Sequence, residues 1–131
     1  MAIYGVGIDL IRVERIRELF NKSPEKAMKR LFTGQECDYC LKKRDPAPCF
    51  AMRFSAKEAF AKALGTGIGK DVGWKDVEVV PDNLGKPEIR LSKKLREYCL
   101  QHGIISWHLS LTDDGEYGAA LVVLEKREEK D

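Results

Sequence analysis

The order of patterns along the chain predicts an α+β fold: a mainly antiparallel sheet with a long central helix and several short ones. Two segments at 106–112 and 117–125 flank Asp113-Asp114-Gly115, a turn that pairs strands antiparallel. Two more, at 74–80 and 87–91, flank the turn residues Asp82-Asn83-Leu84-Gly85-Lys86. Between Asp9 and that second pair the spacing of apolar residues is helical, and the longest such run, 49–64, stops at Gly65.

The elements follow in order. Residues 3–8 read as an apolar strand whose glycines at 5 and 7 leave one side bare, with Asp9 where the strand stops. Val13, Ile16, Leu19 and Phe20 have helical spacing over 12–20. Ser23-Pro24-Glu25 supplies an N-cap, a proline for the first helical position and an acid for the first turn of a helix reaching about 32. Thr33 and Glu36 have capping-box spacing for another short helix, ending near Lys42-Lys43-Arg44. Asp45-Pro46-Ala47-Pro48 breaks the chain before the long helix. Ser92 caps a helix to 101 that Gly103 ends, and from about 126 the chain is a charged, frayed tail.

A chain of 131 residues suits one domain, 1–131, without linker or repeat. With 44% hydrophobic and 34% charged residues it reads as an ordinary soluble protein. Basic and acidic residues nearly balance, 23 against 21, which argues against bulk electrostatic binding of nucleic acid. No signal peptide or membrane span is visible, so a cytoplasmic location is expected. The four cysteines, Cys37, Cys40, Cys49 and Cys99, are then expected to be reduced. Cys37 and Cys40 form a C-x-x-C without a second pair at zinc spacing, and read as packing residues.

The segment 53–65 carries the most information. Stepped at about 100° per residue, it is apolar nearly all round, as a buried helix is, yet four charges interrupt it. Arg53 and Lys57 lie about 40° apart, as do Glu58 and Lys62. Two close cations beside an acid–lysine pair suit a polyanionic ligand with a metal. Two structural readings stand beside this one: Glu58 and Lys62 as a surface i, i+4 pair, and Ser55 with Glu58 as a capping box. Asp9 either caps the following helix or, if the fold brings it to Glu58, completes a magnesium site of carboxylates and substrate phosphates. Gly65-Thr66-Gly67-Ile68-Gly69-Lys70 lacks the order of a Walker loop, because it leaves a helix and Asp71 follows the lysine. It is a helix stop whose amides could touch a pyrophosphate. His108 and Ser110 share one strand face, ordinarily a solvated one, and no serine-hydrolase elbow accompanies them.

Taken together, Gly5-Val6-Gly7-Ile8-Asp9-Leu10, the run from Phe54 to Ala63 with Gly65-Thr66-Gly67, Asn83-Leu84-Gly85-Lys86-Pro87 and Trp107-His108-Leu109-Ser110-Leu111 resemble the small bacterial phosphopantetheinyl transferases, the holo-acyl-carrier-protein synthases. The resemblance spans nearly the whole chain in order. One departure is that Asp113 and Asp114 stand where many members carry a second histidine. The resemblance implies transfer of 4′-phosphopantetheine from coenzyme A to a serine of acyl carrier protein, in support of fatty acid biosynthesis. It implies Mg²⁺ on Asp9 and Glu58, with these two and Lys62 as the catalytic set. Coenzyme A contacts are expected from Arg53, Lys57, Lys62, Gly65, Thr66, Gly67, His108 and Ser110. A homotrimer is implied, with His108 reaching a neighbour's site. The acidic carrier would dock on Arg12, Arg15 and Arg17, with Ile16, Leu19 and Phe20 beside them. Two other classes are distinguishable. A silent coenzyme A-binding module would not need both carboxylates, and an RNA-binding module would need a larger basic excess with interleaved aromatics.

Overall fold

Strand β1 (Ala2–Arg12) and helix α4 (Pro46–Leu64) approach so closely that no side chain fits between them at two places. In the computed structural model, which describes residues 1–128, a methyl group on Gly5 would stand 2.0 Å from the carbonyl oxygen of Ala63. One on Gly7 would stand 1.9 Å from that of Ala59. The two glycines are therefore there for backbone approach. They set the architecture: a three-stranded antiparallel sheet, order β1-β5-β4, laid on one long buried helix. Its other strands are β4 (Ile104–Asp114) and β5 (Tyr117–Lys126). A separate hairpin of β2 (Val77–Pro81) and β3 (Pro87–Leu91) and the helix α5 (Lys93–Gln101) complete the core around the second half of α4. The first half packs with α1 (Val13–Asn21), α2 (Pro24–Leu31) and α3 (Gly34–Leu41), where Phe20, Phe32 and Phe50 meet edge to face or tilted.

Several local signals are realised. Thr33 and Glu36 form the reciprocal capping box, Ser92 accepts from the Leu95 amide, and Gly65 ends α4 with φ 84°. Others are corrected. β1 does not stop at residue 8 but pairs with β5 as far as Arg12, which puts Asp9 inside the strand, opposite Ala120. Pro46 does not break the chain; it opens α4, where a missing N–H costs nothing, with Asp45 as N-cap. Trp74–Asp76 is a 3₁₀ turn, not strand, because Asp76 accepts from the Gly73 amide and the Ser92 hydroxyl. The tail is held further than expected: the Arg127 amide donates to Gly103 and the N-terminus pairs with Glu128, while 129–131 lie outside the described residues. The cysteines are not all free. The α3 end and the α4 start bring the Cα atoms of Cys40 and Cys49 to 5.4 Å, and the two form a disulfide. Cys37 and Cys99 are free thiols, and burial pushes Cys99 up to about 11.

Two charges predicted to face a ligand lie inside the protein. Lys57 is fully buried and spends all three protons on the Glu36 carboxylate (2.8 Å) and the carbonyls of Trp74 (2.8 Å) and Val77 (2.5 Å). Glu36, also fully buried, accepts in addition from the Thr33 and Val79 amides. Arg53 is buried against Cys49 and lies over the Tyr39 ring, 4.5 Å from its centroid. Neither cation is free for a polyanion; the pair Lys57–Glu36 instead ties α3 and α4 to β2.

Candidate functional site

A helix rises about 5.4 Å per turn and a strand about 6.8 Å per two residues, so the inward residues of β1 can meet successive turns of α4. They do so in antiparallel order: Gly5 against Ala63, Gly7 against Ala59, and Asp9 against Ser55. At the third step a side chain is accommodated, and it is a carboxylate. Asp9 Oδ2 accepts from the Ser55 hydroxyl at 3.0 Å, and its main-chain oxygen lies 2.8 Å from the same hydroxyl. Oδ1 accepts from Lys62 Nζ at 3.0 Å, and that ammonium also donates to the Ile8 carbonyl.

Lys62 therefore pairs with Asp9, not with Glu58, and the expected i, i+4 ion pair is absent from the described residues. Ser55 begins no helix; it lies in the middle of α4. Glu58, half-buried one turn beyond Ser55, receives no hydrogen bond from the described residues. Burial first, then the negative charge of Asp9, holds its carboxyl above the usual range, against the pull of Lys62 and Arg15. Two carboxylates thus share one small space with one lysine. Among the described residues no cluster of three or more His, Cys, Asp or Glu gathers as a metal cage. A magnesium ion needs no such cage, since one or two carboxylates with substrate phosphates and water suffice. The oxygen donors and the repulsion between Asp9 and Glu58 fit such an ion.

The loop Gly65-Thr66-Gly67 begins three residues after Lys62, at the end of α4, and is exposed. His108 and Ser110 are exposed on the sheet face away from α4, and His108 Nε2 meets Glu125 at 2.5 Å. Asp9 and His108 therefore lie on opposite faces of the sheet. His108 lines a cleft of about 300 Å³ with Lys86, Pro87, Glu88 and Trp107.

The arginines predicted to dock a partner separate. Arg17 is held by Asp45 at 2.6 Å and lines a cleft beside the β4–β5 turn with Arg12, away from Arg15. Ile16 is fully buried and Phe20 half-buried, so of the apolar trio only Leu19 is exposed. Arg15 lies over Phe54, 5.1 Å from the ring centroid, and borders a cleft of about 350 Å³ with Leu19, Lys22, Lys26, Arg30 and Trp74. Sequence reading missed Lys22, Lys26 and Arg30, although the four-residue spacing of Lys26 and Arg30 was a usable signal for one face of α2.

Residues 5–122 match the model of the 4′-phosphopantetheinyl transferase superfamily. The chain is 42% identical over 124 residues to a holo-acyl-carrier-protein synthase of Geobacter sp. (strain M21), covering 95% of this chain and 99% of that one. Its fold is similar to the crystal structure of the synthase from Neisseria meningitidis, with TM-score 0.89 and 37% identity over 95% of this chain and 99% of that one. A Bacillus anthracis synthase solved in complex with CoA (3′,5′-ADP) is similar at TM-score 0.80 and 36% identity, covering 97% of this chain and 100% of that one.

Proposed function

The chain belongs to the 4′-phosphopantetheinyl transferase superfamily, and from that premise we propose that it transfers 4′-phosphopantetheine from coenzyme A to a serine of acyl carrier protein, in support of fatty acid biosynthesis. The observation that carries this reading is the meeting of Asp9, Glu58 and Lys62 from two elements that backbone contact locks together.

In the reaction the serine oxygen attacks the pantetheine-bearing phosphorus as its proton passes to Asp9 or Glu58, directly or through water, the pyrophosphate P–O bond breaks, and adenosine 3′,5′-bisphosphate leaves. Asp9 and Glu58 would hold Mg²⁺, with the pyrophosphate oxygens as its other partners. When bound, the ion offsets charge that develops on those oxygens. Lys62, with its side chain 51% exposed, can leave Asp9 for the same pyrophosphate. The amides of Gly65, Thr66 and Gly67 all donate to the Ala61 carbonyl at the end of α4, so a phosphate at this loop would have to compete with that carbonyl for them. Arg53 and Lys57 take no part, since both are buried with protein partners.

A homotrimer is supported by the outer face of the sheet. Val6, Ile8, Leu10 and Leu121 are 54%, 66%, 67% and 39% exposed there. Ile8, Leu121 and Ser110 form one row across the strands, and Val6, Val123 and His108 the next. An apolar patch of this kind marks an association surface. A copy packed on it would bring His108 and Ser110 towards a neighbour's site. Light scattering should give a trimer, and Ile8→Asp should give a monomer with activity lost; a fully active unaltered monomer at working dilution overturns this.

The acidic carrier is assigned to the cleft of Arg15, Leu19, Lys22, Lys26 and Arg30 rather than to Arg12 and Arg17. Arg15→Glu and Lys26→Glu should each raise the carrier's KM about tenfold at low salt, with little change in coenzyme A binding and a smaller effect as salt is added. An unchanged KM in both variants would make the cleft an ordinary solvated face. No helix is long and apolar enough to cross a membrane among the described residues, and a cytoplasmic site of action is part of the proposal.

The transfer itself is tested by mass spectrometry of an apo carrier incubated with the protein, coenzyme A and Mg²⁺. The carrier should gain a phosphopantetheine mass only when both are present. Tight coenzyme A binding without any gain, across several bacterial carriers, would favour the silent binding module.

A further inference from the structure

The Asp9 carboxylate has two anchors of unequal permanence. Lys62 is half-exposed on a flexible stem, and a bound pyrophosphate would compete for its charge. Ser55 is fully buried, and its hydroxyl has no water to turn to. A serine inside a helix ordinarily turns its hydroxyl back on the carbonyl four residues earlier. Ser55 instead crosses to β1 and places one proton between the Asp9 main-chain oxygen at 2.8 Å and Oδ2 at 3.0 Å. The main-chain contact alone would satisfy a hydroxyl whose role was packing. The second contact fixes the rotation of the carboxylate.

Resting on the reading that Asp9 binds Mg²⁺, we propose that Ser55 is the positioning residue that holds the Asp9 carboxylate in its ligating orientation when Lys62 turns to the substrate. Ser55 touches neither ion nor substrate. It acts as an outer partner that orients a ligand, a role whose loss typically weakens metal binding by about 10- to 100-fold.

The test uses the full-length protein with coenzyme A and Mn²⁺, read by electron paramagnetic resonance of free Mn²⁺, alongside turnover against Mg²⁺. Ser55→Ala removes the hydroxyl, and Ser55→Cys keeps its volume with a much weaker donor. Both should weaken Mn²⁺ about tenfold and raise the Mg²⁺ needed for half-activity in parallel. The loss of turnover should shrink as Mg²⁺ rises, while the carrier's KM stays in place. A Ser55→Ala protein whose melting temperature falls but whose Mn²⁺ affinity does not would reduce Ser55 to packing. Recovery in Ser55→Cys alone would overturn the proposal in favour of volume. An unaltered protein that holds no Mn²⁺ beside coenzyme A overturns the metal reading itself, and the role of Ser55 with it.

Discussion

Asp9→Asn and Glu58→Gln are each expected to lower phosphopantetheine transfer by about 10²- to 10³-fold while leaving the fold intact. Each change keeps the size of the side chain and removes the charge that would hold a hard cation. In both, the Mg²⁺ required for half-activity should rise, and Mn²⁺, which accepts similar oxygen ligands, should partly restore turnover. Because the two carboxylates would serve one ion, the double variant should cost little more than the worse single one. Asp9→Asn should also let the Glu58 carboxyl fall towards its ordinary value, since the Asp9 charge is the second cause of its displacement after burial. Fully additive, modest losses with unaltered metal dependence would mean that the carboxylates do separate structural work.

Lys57→Met should be strongly destabilising, costing about 3–5 kcal/mol. It fills the same space but strands the Glu36 carboxylate, which is fully buried and loses its only cationic partner among the described residues. Melting should fall by roughly 10–15 °C. Pairing Lys57→Met with Glu36→Gln should recover much of that loss, because the penalty lies in the uncompensated charge more than in the missing pair. Thermal melts of both proteins check this. If the double variant melts no higher than the single, the cost comes from the carbonyls of Trp74 and Val77, which both variants leave without the ammonium's protons.

The fold class, the capping box at Thr33 and Glu36, the end of α4 at Gly65 and both hairpins were legible because each depends on a few adjacent residues. What was illegible depended on partners far along the chain. The extra length of β1 comes from β5, more than a hundred positions away, which supplies hydrogen-bond partners as far as Arg12. Helical stepping correctly set Arg53 beside Lys57, but it could not tell whether that face met a ligand or α3 and β2. The same limit hid the buried side of Ile16 and the Cys40–Cys49 pairing. The candidate site was the intermediate case. Asp9, Glu58 and Lys62 were legible as residues, yet their meeting, and the presence of Ser55 within it, required the register between strand and helix.

That register also settles where this molecule can move. Gly5 on Ala63 and Gly7 on Ala59 interlock like the teeth of a rack, so β1 cannot slide along α4 or swing from it without driving backbone into backbone. The two carboxylates ride on those locked elements and have no hinge between them. Any closure around a bound coenzyme A would fall to the rim: the exposed residues 65–67 and the Lys62 side chain. The centre is an anvil, and the adaptation that substrate binding demands belongs to its surroundings.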